Sequence, residues 1–366
     1  MSGRPTIVEV AAQAGVSIAS VSRVLNGKSA RSETQQRVRA AVTDLGYVPH
    51  ATGRALKLGS TLQVAFAVDD VGNPVYTEMM QGVEDGLSGS GGRLLVASTG
   101  HDPTDLLALV HSLSRGYADA LIISPLRRSP ELVAALVALP VPVVVIGQLG
   151  DEVPLDVVRT DSRAGVILAH RHLLESGRRR IAFVNGPPDT APGQARLEGF
   201  QEACAAAGLA GRIIQADGFT VTAGEAAWSQ VESISPRGRP DAVIAANDLL
   251  AFGVMRGAAS AGRRVPRQLA VVGIDDTQFA RVFSPSLSSV SLGARERGRI
   301  AARLLLDRIA APGIPFRTER VAPRLVVRES SAPLVALAPR PGVPSRPRTP
   351  RHPSIASSTS NRSRTS

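Results

Sequence analysis

Hydrophobic and polar positions divide the chain into a short helical head and a long body of alternating strands and helices. Over residues 6–45, apolar positions recur three and four residues apart, which is the period of an amphipathic helix. Over residues 61–330, short β-branched runs alternate with helix-length segments such as 74–87, 161–175, 194–207 and 248–261. The predicted strands lie at 64–68, 94–97, 120–124, 143–147, 181–185, 213–216, 242–246 and 270–274.

The head contains two short helices joined by a tight turn at Gly15. Thr6 and Glu9 have the spacing of a capping box, which satisfies two free N–H groups of the first helix. Gly15 is able to take the left-handed conformation that ends a helix, and Ser17 follows as the N-cap of the next helix. This pattern predicts a helix-turn-helix, the unit that places its second helix in the DNA major groove.

Apolar stripes give this unit its core, and a third helix completes it. The stripes leave four residues near the outward face of the second helix: Ile18, Ala19, Ser22 and Arg23. The inward residues are Val10, Ala11, Ala14, Val21, Val24 and Leu25. In the third helix, Ser32 and Gln35 predict a second capping box and Gly46 predicts the stop. The alternative is a three-helix bundle without a DNA-binding role.

Strand–helix alternation in the body predicts an α/β fold, with parallel doubly wound sheets covered by helices on both faces. Two sets of about four strands indicate two lobes, with the break near Asp161 and residues 288–292 returning the chain across it. Because the carboxyl ends of the strands face the cleft between such lobes, this cleft is the expected ligand site.

Charge is concentrated at the two ends of the chain. Residues 1–60 carry eight Lys or Arg and three acidic residues, whereas residues 61–330 carry 28 of each sign. Residues 331–366 add six Arg and no acid, for a net charge of +11. A basic head on a neutral body is typical of a phosphate-contacting module joined to a small-molecule-binding domain. Residues 333–366 are rich in Pro, Ser, Thr and Arg, and we expect them to form a disordered tail.

Cysteine content and hydropathy bear on the compartment. The single cysteine, Cys204, allows no internal disulfide and suits a reducing environment. No segment has the composition of a signal peptide, and the longest apolar stretch, 132–146, is interrupted by Pro140 and Pro142. We therefore expect a cytoplasmic protein with no membrane partner.

A series of different short motifs runs in a fixed order from about residue 5 to residue 330. They are Thr6-x-x-Glu9-Val10-Ala11, Ala14-Gly15-Val16-Ser17, Val21-Ser22-Arg23-Val24-Leu25-Asn26, Leu45-Gly46-Tyr47-x-Pro49, Asn73-Pro74, Thr160-Asp161, Arg178-Arg179-Arg180-Ile181-Ala182, Arg196-x-x-Gly199-Phe200, Ala246-Asn247-Asp248 and Val272-Gly273-Ile274-Asp275-Asp276. In this order and spacing they resemble the lactose-repressor/galactose-repressor family of bacterial transcriptional regulators.

The resemblance implies both a domain plan and a function. It implies a helix-turn-helix domain at 1–48, a hinge at 49–60, a bilobal periplasmic-binding-protein-like domain for effector binding and dimerisation at 61–332, and the tail at 333–366. The implied function is that of a repressor. It binds a palindromic double-stranded operator as a homodimer and is controlled by a small molecule, a carbohydrate, in the cleft.

Within the head, the resemblance assigns DNA contacts to the helix at 17–25. Ile18 and Ala19 occupy the base-reading positions, where their apolar side chains suit thymine methyl groups. Arg23 is placed to donate to a guanine edge, with a phosphate contact or a surface salt bridge as the alternative. Thr6, Ser17 and Ser22 are the predicted phosphate contacts.

Residues 49–58 resemble the hinge helix of the family, which folds on operator DNA and inserts a leucine into the minor groove. Leu56 holds the leucine position, and Arg54 and Lys57 are expected against backbone phosphates. His50 replaces the usual Asn, and Gly53 costs about 1 kcal/mol of helix stability. The alternative is a flexible linker.

In the body, the resemblance places Arg196, Asn247 and Asp275 against ligand hydroxyls and Phe219 against the apolar face of the ligand. Five further residues expected to face the cleft are Asn73, Tyr76, Ser124, Gln148 and Asp161. Gln148 stands where the family often has Arg, and Ser162 follows Asp161 where it often has Asn, so the ligand's identity is open. Turn capping or bonding between the lobes is the alternative role for each polar residue.

Two other classes of protein share parts of this pattern. A periplasmic sugar-binding protein would have the bilobal body, but with a secretion signal in place of the basic head. An enzyme on a doubly wound sheet would need a phosphate loop, a metal site or a nucleophile–His pair. No G-x-G-x-x-G follows a predicted strand, His170 and His172 do not converge from one helix, and no nucleophile–His pair is evident. No catalytic residue, metal or cofactor is therefore predicted.

Overall fold

The computed structural model describes residues 6–25, 31–45, 62–100, 103–113, 116–150 and 153–332. Three features expected from the sequence lie outside these described residues. They are the helix stop at Gly46, the hinge at 49–60 and the tail at 333–366.

Three helices form the head: α1 (Ile7–Ala14), α2 (Ile18–Leu25) and α3 (Ser32–Leu45). The axes of α1 and α2 differ by 102°, as in a helix-turn-helix. The capping box of α1 is confirmed, because the Glu9 N–H donates to Thr6 Oγ1 at 3.3 Å and the Thr6 N–H donates to Glu9 Oε2 at 2.6 Å. The N-cap of α2 is also confirmed, since Ser17 Oγ accepts from the Ser20 N–H at 3.1 Å.

The predicted cap of α3 is wrong by one residue. The Gln35 N–H donates to the Arg31 carbonyl at 3.0 Å, so α3 begins at Ser32 itself. Arg31 therefore occupies the N-cap position that the capping-box pattern assigned to Ser32. The helix therefore starts one residue earlier than the capping box predicts.

Gly15 adopts the left-handed conformation, with φ 61°, in the turn between α1 and α2. Its N–H donates to the Ala12 carbonyl at 3.2 Å, and the Val16 N–H donates to the Ala11 carbonyl at 3.0 Å. These bonds satisfy the last carbonyls of α1. From α3, Arg37 Nη2 donates to the Gly15 carbonyl at 3.2 Å, so the third helix also fixes the turn.

The head has its own hydrophobic core, built from the predicted stripes. Its fully buried members are Val10, Ala11, Ala14, Val21, Val38 and Ala41. Val24 and Leu25 of α2 are half-buried and pack against this core. The side of α2 that remains carries the residues predicted to face outward.

The first lobe of the body is a six-stranded parallel sheet covered by four helices. Its strands are β1 (Gln63–Val68), β2 (Arg93–Ser98), β3 (Ala120–Ser124), β4 (Val143–Ile146), β5 (Asp156–Thr160) and, much later in the chain, β11 (Thr318–Val321). Its helices are α4 (Pro74–Leu87), α5 (Pro103–Leu113), α6 (Pro130–Val137) and α12 (Ala294–Ala310). The strand order is β11-β5-β4-β3-β1-β2.

The second lobe is a six-stranded sheet that is parallel except at one edge. Its strands are β6 (Ile181–Asn185), β7 (Arg212–Gln215), β8 (Ala242–Ala245), β9 (Ala270–Ile274), β10 (Ser288–Ser291) and β12 (Arg324–Val326). Its helices are α7 (Ser162–Glu175), α8 (Ala191–Ala207), α9 (Val221–Glu232), α10 (Asp248–Ser260) and α11 (Phe279–Val282), and a 3₁₀ turn (Glu329–Ser331) follows. The order is β12-β10-β9-β8-β6-β7, with β12 antiparallel to β10.

The chain crosses between the lobes three times within its described part: after β5, after β10 and after β11. This corrects two expectations. Each sheet has six strands where the pattern gave about four, and residues 288–291 form a strand of the second sheet, so the return crossing follows them. The break near Asp161 is confirmed, because β5 and α7 belong to different lobes.

Strand β1 shows why the first sheet is buried on both faces. Val64, Phe66 and Val68 pack against α4 and α12, whereas Ala65 and Ala67 belong to a separate cluster with α5 and α6. Alternate side chains of a strand point to opposite faces, so each face receives its own core. The second sheet has a third, independent core. No single described helix has the length and apolar composition to cross a membrane, and α1 and α2 reach that threshold only when counted together.

Replacing Gly15 with Ala should destabilise the head. The left-handed φ costs an L side chain about 1–2 kcal/mol, and the added Cβ would meet the Arg37 guanidinium. We expect faster hydrogen exchange of the α1 and α2 amides in the full chain. Gly208→Ala is the matched control, because Gly208 also caps a helix, at φ 64°, but has open space around it in the second lobe. Unchanged exchange in α1 and α2 would contradict the role of Gly15.

Candidate functional site

Three of the four residues of α2 that were predicted to face outward are exposed. Ile18 is 41% exposed although it is a large apolar residue, and Ala19 and Arg23 are also exposed. Ser22 is half-buried. Ile18 begins α2 and Arg23 lies in its last turn, and an apolar side chain and a guanidinium on one exposed helix face suit contact with base edges in a groove.

The predicted phosphate contacts differ in their exposure and in the hydrogen bonds that they already make. Ser17 is exposed, and its Oγ lies 3.0 Å from Ser20 Oγ. Thr6 is exposed as well, but its N–H and hydroxyl both donate to Glu9 within the capping box. The remaining predicted contacts, Arg54, Leu56 and Lys57, lie outside the described residues.

A cleft of about 510 Å³ separates the two lobes. All nine residues predicted to face a ligand line it: Asn73, Tyr76, Ser124, Gln148, Asp161, Arg196, Phe219, Asn247 and Asp275. They come together because most of them follow or end parallel strands, whose carboxyl ends converge on the cleft from both sheets.

Among the described residues, three direct contacts between the lobes lie at or beside the cleft. Arg127, after β3, is 2.6 Å from Asp189, after β6, and this ion pair is partly exposed. The Ala191 N–H donates to the Leu126 carbonyl at 2.8 Å. On the α11 side of the cleft, the Gln278 N–H donates to Glu78 Oε1 at 3.0 Å.

Buried charges form the floor of the cleft. Arg196 projects from α8 and donates from Nη1 to the Ala246 carbonyl, and its Nη2 lies 3.6 Å from Asp275 Oδ1. Both side chains are more than nine-tenths buried. Burial raises the pKa of Asp275 to about 6, although Arg196 and Arg297 both act to lower it. A carboxylate held between guanidiniums is a strong acceptor for ligand hydroxyls.

The backbone at the floor is held in an unfavourable conformation. Asp275 and Asp276 have φ 118° and 55°, a region that side-chain-bearing residues rarely occupy. The Asp275 N–H donates to the Val290 carbonyl at 2.9 Å, and the Asp276 N–H donates to Ser289 Oγ at 2.9 Å. These bonds from β10 fix the direction in which the Asp275 carboxylate points.

Asp248 completes the support from the first turn of α10. Its Oδ2 accepts from the Thr277 N–H at 2.8 Å and from Thr277 Oγ1 at 2.9 Å, and its Oδ1 lies 2.5 Å from Ser289 Oγ. Burial raises the pKa of Asp248 to about 8, with a further contribution from Asp275. Sequence reasoning missed this residue, although it directly follows Asn247 in a motif of the resembled family.

Three of the predicted ligand contacts also cap helices. Asn73 Oδ1 accepts from the Val75 N–H at 3.2 Å, and Asp161 Oδ1 accepts from the Ala164 N–H at 2.8 Å. Asn247 is the N-cap of α10, and its Oδ1 accepts from the Leu250 N–H at 2.9 Å. The capping alternative therefore applies to these residues, although each also lines the cleft.

Phe219 is half-buried at the wall of the cleft and depends on two neighbours. Asn247 Nδ2 donates to the Phe219 carbonyl at 3.1 Å. A Cβ at Gly186 would collide with the Phe219 ring, so only glycine allows this close approach. The ring is thereby fixed as an apolar surface within a polar cleft.

Nine charged residues of the cleft lining were not predicted: Asp69, Asp70, Arg127, Arg159, Arg163, Glu198, Asp217, Arg297 and Arg320. Asp69 follows the apolar run of β1, so its strand-end position was an available signal. The sequence around Arg297 offered no such signal, because the run of charged residues at 295–299 is typical of a solvated helix face.

A nucleophile–His pair is present, contrary to the sequence analysis. His172 Nε2 lies 2.7 Å from Ser331 Oγ, and Ser331 Oγ lies 2.7 Å from Ser288 Oγ. Both serines are buried, and none of the three residues lines the cleft. The contact ties the 3₁₀ turn to α7 and β10.

Family models match both parts of the chain. The model of bacterial regulatory proteins of the lacI family matches residues 6–50, and a periplasmic binding protein-like domain matches residues 170–331. A helix-turn-helix head on a bilobal binding body defines a DNA-binding transcriptional regulator, not an enzyme.

Curated and solved relatives agree with this class. The transcriptional regulator CelR of Thermobifida fusca is 36% identical over 89% of this chain and 98% of its own length. The ribose operon repressor of Halalkalibacterium halodurans is 30% identical over 89% and 97%. A solved CelR–cellobiose complex has 34% identity and a TM-score of 0.67, covering 89% of this chain and all of that one. The chain belongs to the lacI family of bacterial regulatory proteins.

Asp248→Asn should flatten the pH dependence of stability. Since the pKa of Asp248 is raised from 3.8 to about 8, the folded state keeps a proton that the unfolded state releases, and the free energy of unfolding falls as pH rises from about 4 to 8. In denaturant titrations at pH 5 to 8, the free energy of unfolding of Asp248→Asn should fall less steeply with pH than that of the unmodified chain, by up to about 1.4 kcal/mol per pH unit. Ser289→Ala, which removes a partner of Asp248, should lower stability but keep the slope. Equal slopes for Asp248→Asn and the unmodified chain would contradict the assignment.

Proposed function

We propose that this protein is a transcriptional repressor that binds a palindromic operator as a homodimer and is controlled by a carbohydrate in the interlobe cleft. The observation that carries this function is the combination, in one chain, of an exposed reading helix and a polar cleft with a buried charged floor. Neither feature alone separates a repressor from a DNA-binding protein without a ligand or from a simple binding protein.

The DNA-binding role rests on α2. Ile18, Ala19 and Arg23 form its exposed face and would contact base edges, with Ser17 at the phosphate backbone. The basic charge of residues 1–60 adds a salt-dependent attraction to DNA. The proposed hinge at 49–60, with Leu56 as a minor-groove wedge, would connect this head to the body at 61–332.

The effector role rests on the cleft. Asp275 and Arg196 are buried, oppositely charged and open to the cleft, an arrangement that suits a ligand with several hydroxyl groups. Phe219 supplies an apolar face of the kind that packs on a sugar ring. The relative solved with cellobiose and the relative named for the ribose operon support the carbohydrate class.

The dimer rests on an exposed apolar patch of the second lobe. Phe279, Val282 and Phe283 are 42%, 75% and 40% exposed, and the Phe283 ring stacks on Phe252 at 4.3 Å between centroids. Adjacent exposed aromatic and aliphatic side chains of this size mark an association surface. A second copy of the chain would cover it and bring two reading helices onto two half-sites.

Allosteric control then follows from geometry. A ligand that prefers one angle between the lobes shifts the protein toward that arrangement. The spacing of the two hinge segments at 49–60 changes with the angle, and operator affinity changes with the spacing. The sign of the response distinguishes an inducer from a corepressor.

Arg23→Ala should reduce discrimination between the promoter of the protein's own gene and random DNA. Loss of a bidentate contact to guanine costs about 1–3 kcal/mol on the specific site alone. Fluorescence anisotropy of the full chain on both DNAs, at one salt concentration, measures the difference. Arg39→Ala, which removes a charge from the exposed side of α3, should weaken both complexes alike. An equal loss on both DNAs for Arg23→Ala would make it a phosphate contact, and an unmodified chain that fails to discriminate would refute the proposed function.

Val282→Asp should convert the dimer to a monomer without unfolding it. Val282 is largely exposed in one copy, but a carboxylate there would be buried without a partner at the interface, raising the dimer dissociation constant by at least about 100-fold. Sedimentation velocity measures the shift. Val137→Asp, at an exposed valine of α6 in the first lobe, is the control. A dimer that survives Val282→Asp would place the interface elsewhere.

A further inference from the structure

Arg297 is a buried cation without a partner. It projects from the first turn of α12 in the first lobe, is 7% exposed and lines the cleft. Its side chain makes no hydrogen bond or ion pair with any residue in the described part of the chain, and its Nε is fully buried. Burial lowers the pKa of Arg297 to about 10, although the charge of Asp275 acts to raise it, so the carboxylate offsets the cost of burial only in part.

The other end of the same helix shows what a structural buried arginine looks like here. Arg308 is also 7% exposed, but its Nε lies 2.9 Å from Asp156 Oδ2. Its two η nitrogens donate to the carbonyls of Pro312, Ile314 and Pro315. The fold therefore supplies an acceptor to each guanidinium nitrogen of this structural arginine, and the described residues supply none to Arg297.

The groups nearest to Arg297 leave an excess of positive charge. Arg297 lies within electrostatic range of Asp275, Arg196 and Tyr76. Asp275 is the carboxylate shared by both guanidiniums, and at 3.6 Å it is not hydrogen-bonded to Arg196. Asp69, the other buried carboxylate of the cleft, acts on Tyr76 and is not among the groups that act on Arg297.

We infer that Arg297 and Arg196 form an anion-binding subsite in the floor of the cleft, so that the effector is a sugar derivative bearing a carboxylate or a phosphate group. This inference rests on the proposed function, because it names the chemical class of the ligand at the same site. Guanidinium groups donate in a fork that matches the oxygens of either anion.

The position of the two arginines on different lobes gives the anion a mechanical role. Arg196 belongs to α8 of the second lobe and Arg297 to α12 of the first. Their charges repel each other, and Asp275 alone offsets this repulsion when the cleft is empty; an anion between them adds two further attractions. Ligand charge would then draw the lobes together, while the hydroxyl contacts of Asp275 select the sugar.

The test compares matched ligands on the full chain and on Arg297→Met. Isothermal titration calorimetry would use D-glucuronate with D-glucose, D-galacturonate with D-galactose, and hexose 6-phosphates with their hexoses, and inorganic phosphate would probe the subsite alone. For the unmodified chain we expect the anionic member of at least one pair to bind at least about 10-fold more tightly than its neutral partner. Arg297→Met should abolish this preference, and Arg297→Lys should retain part of it. Preference for the uronates alone would identify a carboxylate, and preference for the phosphates alone would identify a phosphate.

The control is Arg299→Met, two residues along the same helix, where the side chain is exposed and pairs with Glu296. It should leave the anion preference intact. In the absence of ligand, Arg297→Met should melt at the same or a higher temperature than the unmodified chain, since it removes an uncompensated buried charge. A melting temperature lowered by several degrees would make Arg297 structural and overturn the inference.

Two further outcomes separate this inference from the proposed function. If the unmodified chain binds no anionic sugar more tightly than its neutral partner, or if no anion distinguishes it from Arg297→Met, the anionic subsite is refuted while operator binding stands. If the unmodified chain also fails to recognise its promoter, the proposed function falls independently of the ligand.

Discussion

Three chain crossings at one edge, and little else, hold two independent cores together. β5 and β11 are neighbours in the first sheet, and β10 and β12 are neighbours in the second, so the crossings that follow β5, β10 and β11 lie side by side. Each lobe buries its own apolar surface, and a change of angle between them exposes none of either core. The contacts that span the cleft are weak, because an exposed ion pair such as Arg127–Asp189 contributes about 0–1 kcal/mol. A ligand in the cleft therefore competes with a small energy, not with the stability of the fold.

The polar floor of the cleft is costly, and the fold concentrates its support there. Asp275 and Asp276 sit at positive φ, and three successive amides at 275–277 are each held by a separate acceptor. Asp248 is buried to provide one of them, at the expense of its own ionisation. An apolar core at this place would stabilise the fold at least as well as these buried polar groups do. They fix the direction of one carboxylate, which is what selective recognition of hydroxyl groups requires.

Much of the architecture is readable from the sequence because local signals and long-range packing agree. The capping box at Thr6, the glycine stop at Gly15 and the buried runs of the central strands all predict the observed elements. Three of the four strands that were missed, β5, β11 and β12, carry charge in their sequences. β5 includes Asp156, which reads as a loop residue until Arg308, about 150 positions later, is seen to neutralise it. β11 and β12 are short strands at the sheet edges, and the pairing that defines them is not encoded locally.

The residues of the candidate site likewise fall into those that the sequence predicts and those that it does not. Residues at strand ends, such as Asp275 and Ser124, are located by topology alone, since parallel strands deliver their carboxyl ends to one place. Arg297 and Asp248 lie on helices, and their burial depends on which helix packs against which strand. No periodicity records that relation, so neither residue was predicted.

The coupling between cleft and lobes is open to one direct measurement. The Ala191 and Gln278 amides donate across the cleft to Leu126 and Glu78, so their hydrogen exchange reports on lobe separation. With a saturating cleft ligand, exchange at both amides should slow by more than about 10-fold relative to amides within the sheets. Ligand binding that protects the sheets but leaves both interlobe amides unchanged would show that the lobes do not move, and control of DNA binding through their angle would be excluded.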